Sequence, residues 1–234
     1  MKFEVCAVNI QSALAAQRAG AHRIELCSAL DVGGLTPSLG LIRAAVQALE
    51  IPVHVLIRPR EGDFCYSDLE LEIMLEDIRL CREAGAAGVV VGALTEDGPL
   101  DLPKMKAMKA AAGDLDVTCH RAFDFTPDPA EALEQLIAMG FGRVLSSGQS
   151  DSAYEGRFLL KKMVQQADNR IAVMPGAGVD AENIRSIVEV TGACDFHFTG
   201  KKKVRASEGS DISGLNAWHW ESDESIIRRI LVAA

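Results

Sequence analysis

Residues 117–128 read VTCHRAFDFTPD: an apolar, β-branched start runs into His120, Arg121 and Asp124 before the chain turns at Pro127. Side chains of these types at the end of a buried segment suit two kinds of chemistry. An imidazole beside a carboxylate can move protons, as general acid–base catalysis requires. A guanidinium beside them can hold an anion through its fixed fork of N–H donors. The plainer alternative is a structural ion network that closes the end of a core.

Comparable groups recur along the chain. Glu25 and Cys27 close the stretch RIELC, Arg58 and Arg60 follow VHVLI, and Gly62-Asp63 come shortly after. Ser146-Ser147-Gly148-Gln149 follow RVL, and His197 and Thr199 lie in DFHFT. In MPGAGVD, Gly176 and Gly178 would let backbone N–H groups approach an anion, with Asp180 opening a helix. These glycines serve a tight turn equally well. No lysine falls at a predicted strand end, which disfavours Schiff-base chemistry, and Ser146 and Ser147 lack the setting of a nucleophile elbow.

The elements that must position these groups are marked by a recurrent unit. Four times a helical pattern stops at Gly and passes into a short apolar strand: AGAHRIEL, AGAAGVVV, MGFGRVLS and TGACDFHF. Glycine accepts the left-handed conformation that ends a helix. From these anchors eight strands are predicted, at 2–8, 23–27, 53–57, 88–92, 116–120, 143–147, 171–175 and 194–198. The intervals leave room for one helix each, as parallel crossovers require. Thr36-Pro37, Ser67 with Glu70, and Asp128-Pro129 with Glu131 read as helix starts. The pattern predicts a single α/β domain over 1–234, a (β/α)8 TIM barrel with a long loop at 199–221 after strand 8. An open doubly wound sheet would show a G-x-G-x-x-G turn after strand 1, and NIQSALAAQ has none, so no nucleotide cofactor is expected.

In such barrels chemistry collects at the C-terminal ends of the strands. Strand parity turns His54, Leu56 and Arg58 inward, with Thr118, His120, Asp195 and His197. Glu25, His120 and Asp124 are then candidates for acid–base work. Arg58, Arg60 and Arg121 would clamp a small anion, with Gln149, Gly176, Gly178 and His197 beside it. Glu25, His120 and His197 could instead ligate a divalent metal. Of the six cysteines, Cys6 and Cys27 fall near the ends of adjacent strands, and two converging thiols suit Cu(I); buried thiols are also ordinary core filler. A rim that is chemically inert would leave a scaffold.

Composition narrows the classes. The 234 residues carry a formal charge of −9, which argues against nucleic acid as a partner. No apolar run reaches the length of a membrane span and the N-terminus lacks a signal-peptide core, so a cytoplasmic protein with no membrane partner is expected. In that compartment the cysteines should be free thiols.

The blocks RIELCSALDVGGLTPS, VLIRPREGDFCYS, CHRAFD, RVLSSGQ and VMPGAGV resemble the signature stretches of the CutC family, named for copper homeostasis, in the family's order over roughly residues 1–200. The resemblance implies a (β/α)8 barrel, a homodimer or higher homo-oligomer, and a cytosolic role in copper handling or tolerance through Cu(I) binding. The family blocks fall on Glu25, Cys27, Arg58, Arg60, Asp63, His120, Arg121, Asp124, Ser147, Gly148 and Gln149. KKKVRASEGSDISGLNAWHW departs from the usual tail, so any subunit contact residing there is in question.

Overall fold

The structure, a computed structural model, describes residues 1–205 and 218–234. Strands and helices alternate in the order β1 (Lys2–Ala7), α1 (Ile10–Ala19), β2 (Arg23–Leu26), α2 (Leu39–Ala48), β3 (Val53–Leu56), α3 (Asp68–Glu83), β4 (Gly88–Val91) and α4 (Leu102–Ala112). They continue as β5 (Asp116–Cys119), α5 (Pro129–Ala138), β6 (Arg143–Ser146), α6 (Arg157–Ala167), β7 (Ala172–Pro175), α7 (Ile184–Thr191) and β8 (Asp195–Phe198). The chain ends with β9 (Lys201–Arg205), β10 (Trp218–Ser222) and α8 (Glu224–Ala233).

The first eight strands form one parallel sheet in the order β7-β6-β5-β4-β3-β2-β1-β8. β7 and β8 lie side by side, so the sheet wraps into the expected (β/α)8 barrel. No backbone ladder joins these two strands among the described residues. Alternation along each strand separates two environments. Val5, Ile24, Val53, Val55, Val89, Val117, Phe196 and Phe198 belong to the apolar layer under the helices. The other parity fills the barrel interior, where Cys6, Cys27, Leu56 and Val90 form a small separate cluster.

Local chemistry sets the helix starts. Ser67 accepts from the Glu70 N–H while the Glu70 carboxylate accepts from the Ser67 N–H, a full capping box. Asp128 caps α5 ahead of Pro129, but Glu131 does not complete the box and accepts from Gln135 Nε2 instead. Ser38, not Thr36, caps α2. The Thr36 hydroxyl is engaged by the Arg58 N–H at 2.9 Å and the Thr36 N–H by the Arg58 carbonyl, which ties the loop after β2 to the end of β3. Asp180 opens a turn by accepting from the N–H groups of Glu182 and Asn183, and α7 begins only at Ile184.

The stretch expected as one long loop carries structure at both ends, since β9 and β10 pair as an antiparallel ribbon. Residues 206–217 between them lie outside the described residues. The ribbon is seated on the barrel: the Ser222 N–H donates to Ser12 Oγ, Asn9 Nδ2 donates to the Trp220 carbonyl, and Trp220 Nε1 donates to Asp31 at 2.6 Å. Lys201 and Lys203 lie over the Trp220 ring.

Candidate functional site

Towards the strand starts the barrel is filled by charge. Arg23 bonds the Glu4 carboxylate through Nε and Asp195 through Nη2 at 3.1 Å. Arg143 reaches Asp195 at 3.2 Å, Thr118 Oγ1 at 3.1 Å and Asp116 at 2.6 Å. Asp195 is thus shared by two guanidinium groups, one from β2 and one from β6. His54 sits in this layer, where burial drives its pKa down to about 4 and leaves the ring neutral.

Above this layer lies a cavity of about 310 Å³ lined by Cys6, Glu25, Cys27, Leu56, Arg58, Phe64, His120, Arg121 and His197, among others. Its floor holds the two thiols, with Cys6 Sγ and Cys27 Sγ 3.4 Å apart. Pairing of Cys6 with Glu25 in the β1–β2 register brings the carboxylate to the same level. His197 Nδ1 lies 2.7 Å from Glu4 Oε1 and 3.6 Å from Glu25 Oε2. Glu4, Glu25 and His197 present ligand atoms all within 4.8 Å of one another.

The electrostatics of the floor follow from burial opposed by partners. Burial works against charge on His197, but hydrogen bonds with Cys6 and Glu4 and the two carboxylates hold its pKa well above the ordinary imidazole value. Burial likewise opposes the Glu4 anion, and the His197 hydrogen bond with the Arg23 charge outweighs it, so Glu4 stays ionised. Glu25 has the weaker compensation. Burial raises its carboxyl to about 7 against the attraction of His197, with Glu4 adding to the rise, and its Oε2 has no hydrogen-bond partner among the described residues. The Cys6 thiol is pushed well above its ordinary value by its hydrogen bond with Cys27 and by burial.

The upper wall is different. Arg58, 6 % exposed, donates from Nη1 to the carbonyls of Val32 and Gly34 and from Nη2 to that of Gly62. Its Nε has no hydrogen-bond partner of good geometry among the described residues. The guanidinium also lies over the Phe64 ring at 5.1 Å. His120 packs on the same ring, with centroids 5.0 Å apart. Its Nδ1 accepts from the Ala122 N–H at 3.1 Å, which places the ring proton on Nε2. Burial and the nearby Arg58 charge push its pKa down to about 3, so the ring is neutral. Gly92 makes room for it: a Cβ there would stand 2.5 Å from His120 Cε1.

The structure therefore gathers Cys6, Glu25, Cys27, Arg58, His120, Arg121 and His197 around one cavity. It does not bring Arg60, Asp124, Gln149, Gly176 or Gly178 to the cavity lining. Arg60 points away, to Asp63, Glu70 and the Cys65 carbonyl. Asp124 accepts from Ser146 Oγ, Ser147, the Gln149 N–H and Arg121 Nε. No hydrogen bond links Asp124 to His120 among the described residues, and of the two carboxylates expected near His120 only Glu25 lines the same cavity. Gln149 Nε2 donates to the Thr126 carbonyl. The Gly176 N–H donates to the Ser146 carbonyl, and the lack of a side chain there admits Leu145 and His197. The carboxylate–imidazole cluster contains Glu4 where His120 was expected. Parity on β1 carries the signal for Glu4, because it shares a face with Cys6.

An eight-stranded parallel barrel with paired thiols, carboxylates and an imidazolium buried beneath a shared mouth defines the class: a TIM-barrel protein whose cavity offers soft and hard donors together. The chain belongs to the CutC family, whose model matches residues 1–202. It is 50 % identical over 199 residues to the Homo sapiens "Copper homeostasis protein cutC homolog", covering 85 % of this chain and 73 % of that one. A Pasteurella multocida family protein CutC is 47 % identical over 238 residues, covering 98 % of this chain and 97 % of that one. The crystal structure of the putative copper homeostasis protein CutC from Streptococcus agalactiae superposes with a TM-score of 0.81 at 40 % identity, covering 84 % of this chain and 97 % of that one. No helix among the described residues is long and apolar enough to cross a membrane.

Proposed function

We propose that this protein binds Cu(I) at the cavity floor through Cys6 and Cys27 and takes part in copper handling or tolerance. The observation that carries this reading is the buried thiol pair, 3.4 Å between sulfurs, with His197 and Glu25 beside it. Thiolates are the ligands that select Cu(I), and two sulfurs alone suit a soft ion of low coordination number. The unpartnered Glu25 oxygen and the near side of His197 supply hydrogen-bonding groups around the sulfurs, which tune a metal site. The relatives' names, copper homeostasis protein, support the same cargo.

The reading places the chain in the reducing cytoplasm, where buried thiols persist, and takes over the homo-oligomer that the resemblance implies; light scattering of purified protein tests the latter. Binding must displace the proton of the Cys6 thiol, which burial and its hydrogen bond with Cys27 hold in place, so affinity rises with pH and falls on acidification. In competition with a chromophoric Cu(I) chelator under anaerobic conditions, the wild type is expected to retain one Cu(I) per chain. Cys6→Ser/Cys27→Ser should lose that retention while keeping the wild-type circular dichroism spectrum. Undiminished stoichiometric retention by the folded double variant would remove the thiol site.

A further inference from the structure

The cavity's upper wall is unused by the thiol site, and its groups are unusual for a protein interior. Arg58 is a buried cation with no carboxylate in ion-pair distance among the described residues, held instead by three backbone carbonyls. Carbonyl dipoles fix its position without neutralising it. A buried, uncompensated charge is costly and calls for a counter-charge. The same wall carries two buried donors with no hydrogen-bond partner of good geometry among the described residues, Arg58 Nε–H and His120 Nε2–H. Both residues line the cavity and both pack on Phe64, so they stand on one side of it.

We infer that Arg58 and His120 form a binding subsite for a small organic carboxylate in the cavity that also holds the thiol pair. The side edge of a guanidinium, Nε with Nη2, matches the two oxygens of a planar carboxylate. Nη2 gives one of its two N–H groups to Gly62; its other N–H and Nε–H remain, with the buried Tyr66 hydroxyl as the neighbouring side-chain group that a ligand would displace. His120 acts as a neutral donor through Nε2, a role fixed by the Ala122 N–H at its other nitrogen and supported by its low pKa. Leu30, Leu56, Phe64, Phe125 and Leu145 around the cavity fit an apolar body behind the carboxylate. Its volume of about 310 Å³ lies at the small end of ligand sites.

This inference does not rest on copper binding, and the test separates the two. Sodium benzoate is titrated into metal-free full-length protein carrying ¹⁵N-labelled histidine, and the His120 Nε2–H signal and the heat of binding are followed. Sodium phosphate is titrated in parallel. Benzoate is expected to shift the signal saturably and to bind more tightly than phosphate. His120→Leu should weaken benzoate by about tenfold or more, His120→Gln should recover part of the loss, and Arg58→Lys should weaken it comparably. Glu134→Gln, in a surface ion pair with Arg170, should bind benzoate as the wild type does. No saturable response in the wild type, or wild-type affinity in folded His120→Leu and Arg58→Lys, would overturn the subsite. Tighter phosphate than benzoate binding would overturn the carboxylate assignment.

Discussion

Replacing Arg23 with Met is expected to destabilise the fold by about 3–5 kcal/mol, the cost of removing one partner from a buried ion pair. Arg23 meets Glu4 and Asp195, both buried, and also contacts the Met174 sulfur. Its loss leaves two carboxylates facing each other's field with Arg143 and His197 as the remaining cations of that layer. In a chain of 234 residues such a loss lowers the thermal midpoint by roughly 10 °C. The contrast is Arg170 with Glu134, whose side chains are 45 % and 46 % exposed; breaking that pair should change stability by less than about 1 kcal/mol. Urea unfolding of metal-free protein measures both. A loss below about 1 kcal/mol for Arg23→Met would mean that the interior charges relax freely and do not hold the barrel.

Glu25→Gln should act in the opposite direction and only at higher pH. The folded carboxyl titrates near 7 because burial raises it, whereas its ordinary value is 4.5. Between these values the folded state binds more protons than the unfolded state, so stability falls as pH rises. Gln keeps the shape of the protonated acid and does not titrate. Relative to wild type, the variant should therefore gain about 2 kcal/mol of stability between pH 5 and pH 8.5. Unfolding curves of metal-free protein at the two pH values give the difference. A constant offset, independent of pH, would show that Glu25 titrates as an ordinary carboxylate.

Most of the barrel was readable because its punctuation is local. Gly20, Gly140 and Gly192 adopt positive φ where helices stop, and each is followed by a strand within a residue or two of the expected start. Parity then placed His120, His197 and Arg58 inside the ring. The same rule also applies to Glu4, Arg23 and Arg143, since Glu4 shares a face with Cys6 and Arg23 with Glu25. Lying at the strand starts, away from the mouth where chemistry collects, they carry no functional signal of their own in the sequence. What parity cannot give is the partner of each side chain. Arg58 and Arg60 are alike in sequence, yet one is buried against carbonyls and the other turns outward to Asp63 and Glu70. The ribbon of β9 and β10 was hidden for another reason: it is exposed on both faces near its start, so no apolar alternation marks Lys201–Arg205.

The joint between β7 and β8 is bridged by side chains where a ladder would otherwise run. Asp195 on β8 grips Arg143 on β6 and Arg23 on β2, and Arg23 touches Met174 on β7. The ring is thus buckled rather than welded at one place, and its first opening should be there. Amide hydrogens of β7 and β8 flanking the joint should exchange sooner than those of β2 and β3, and Arg23→Met should widen that gap before the rest of the molecule loosens.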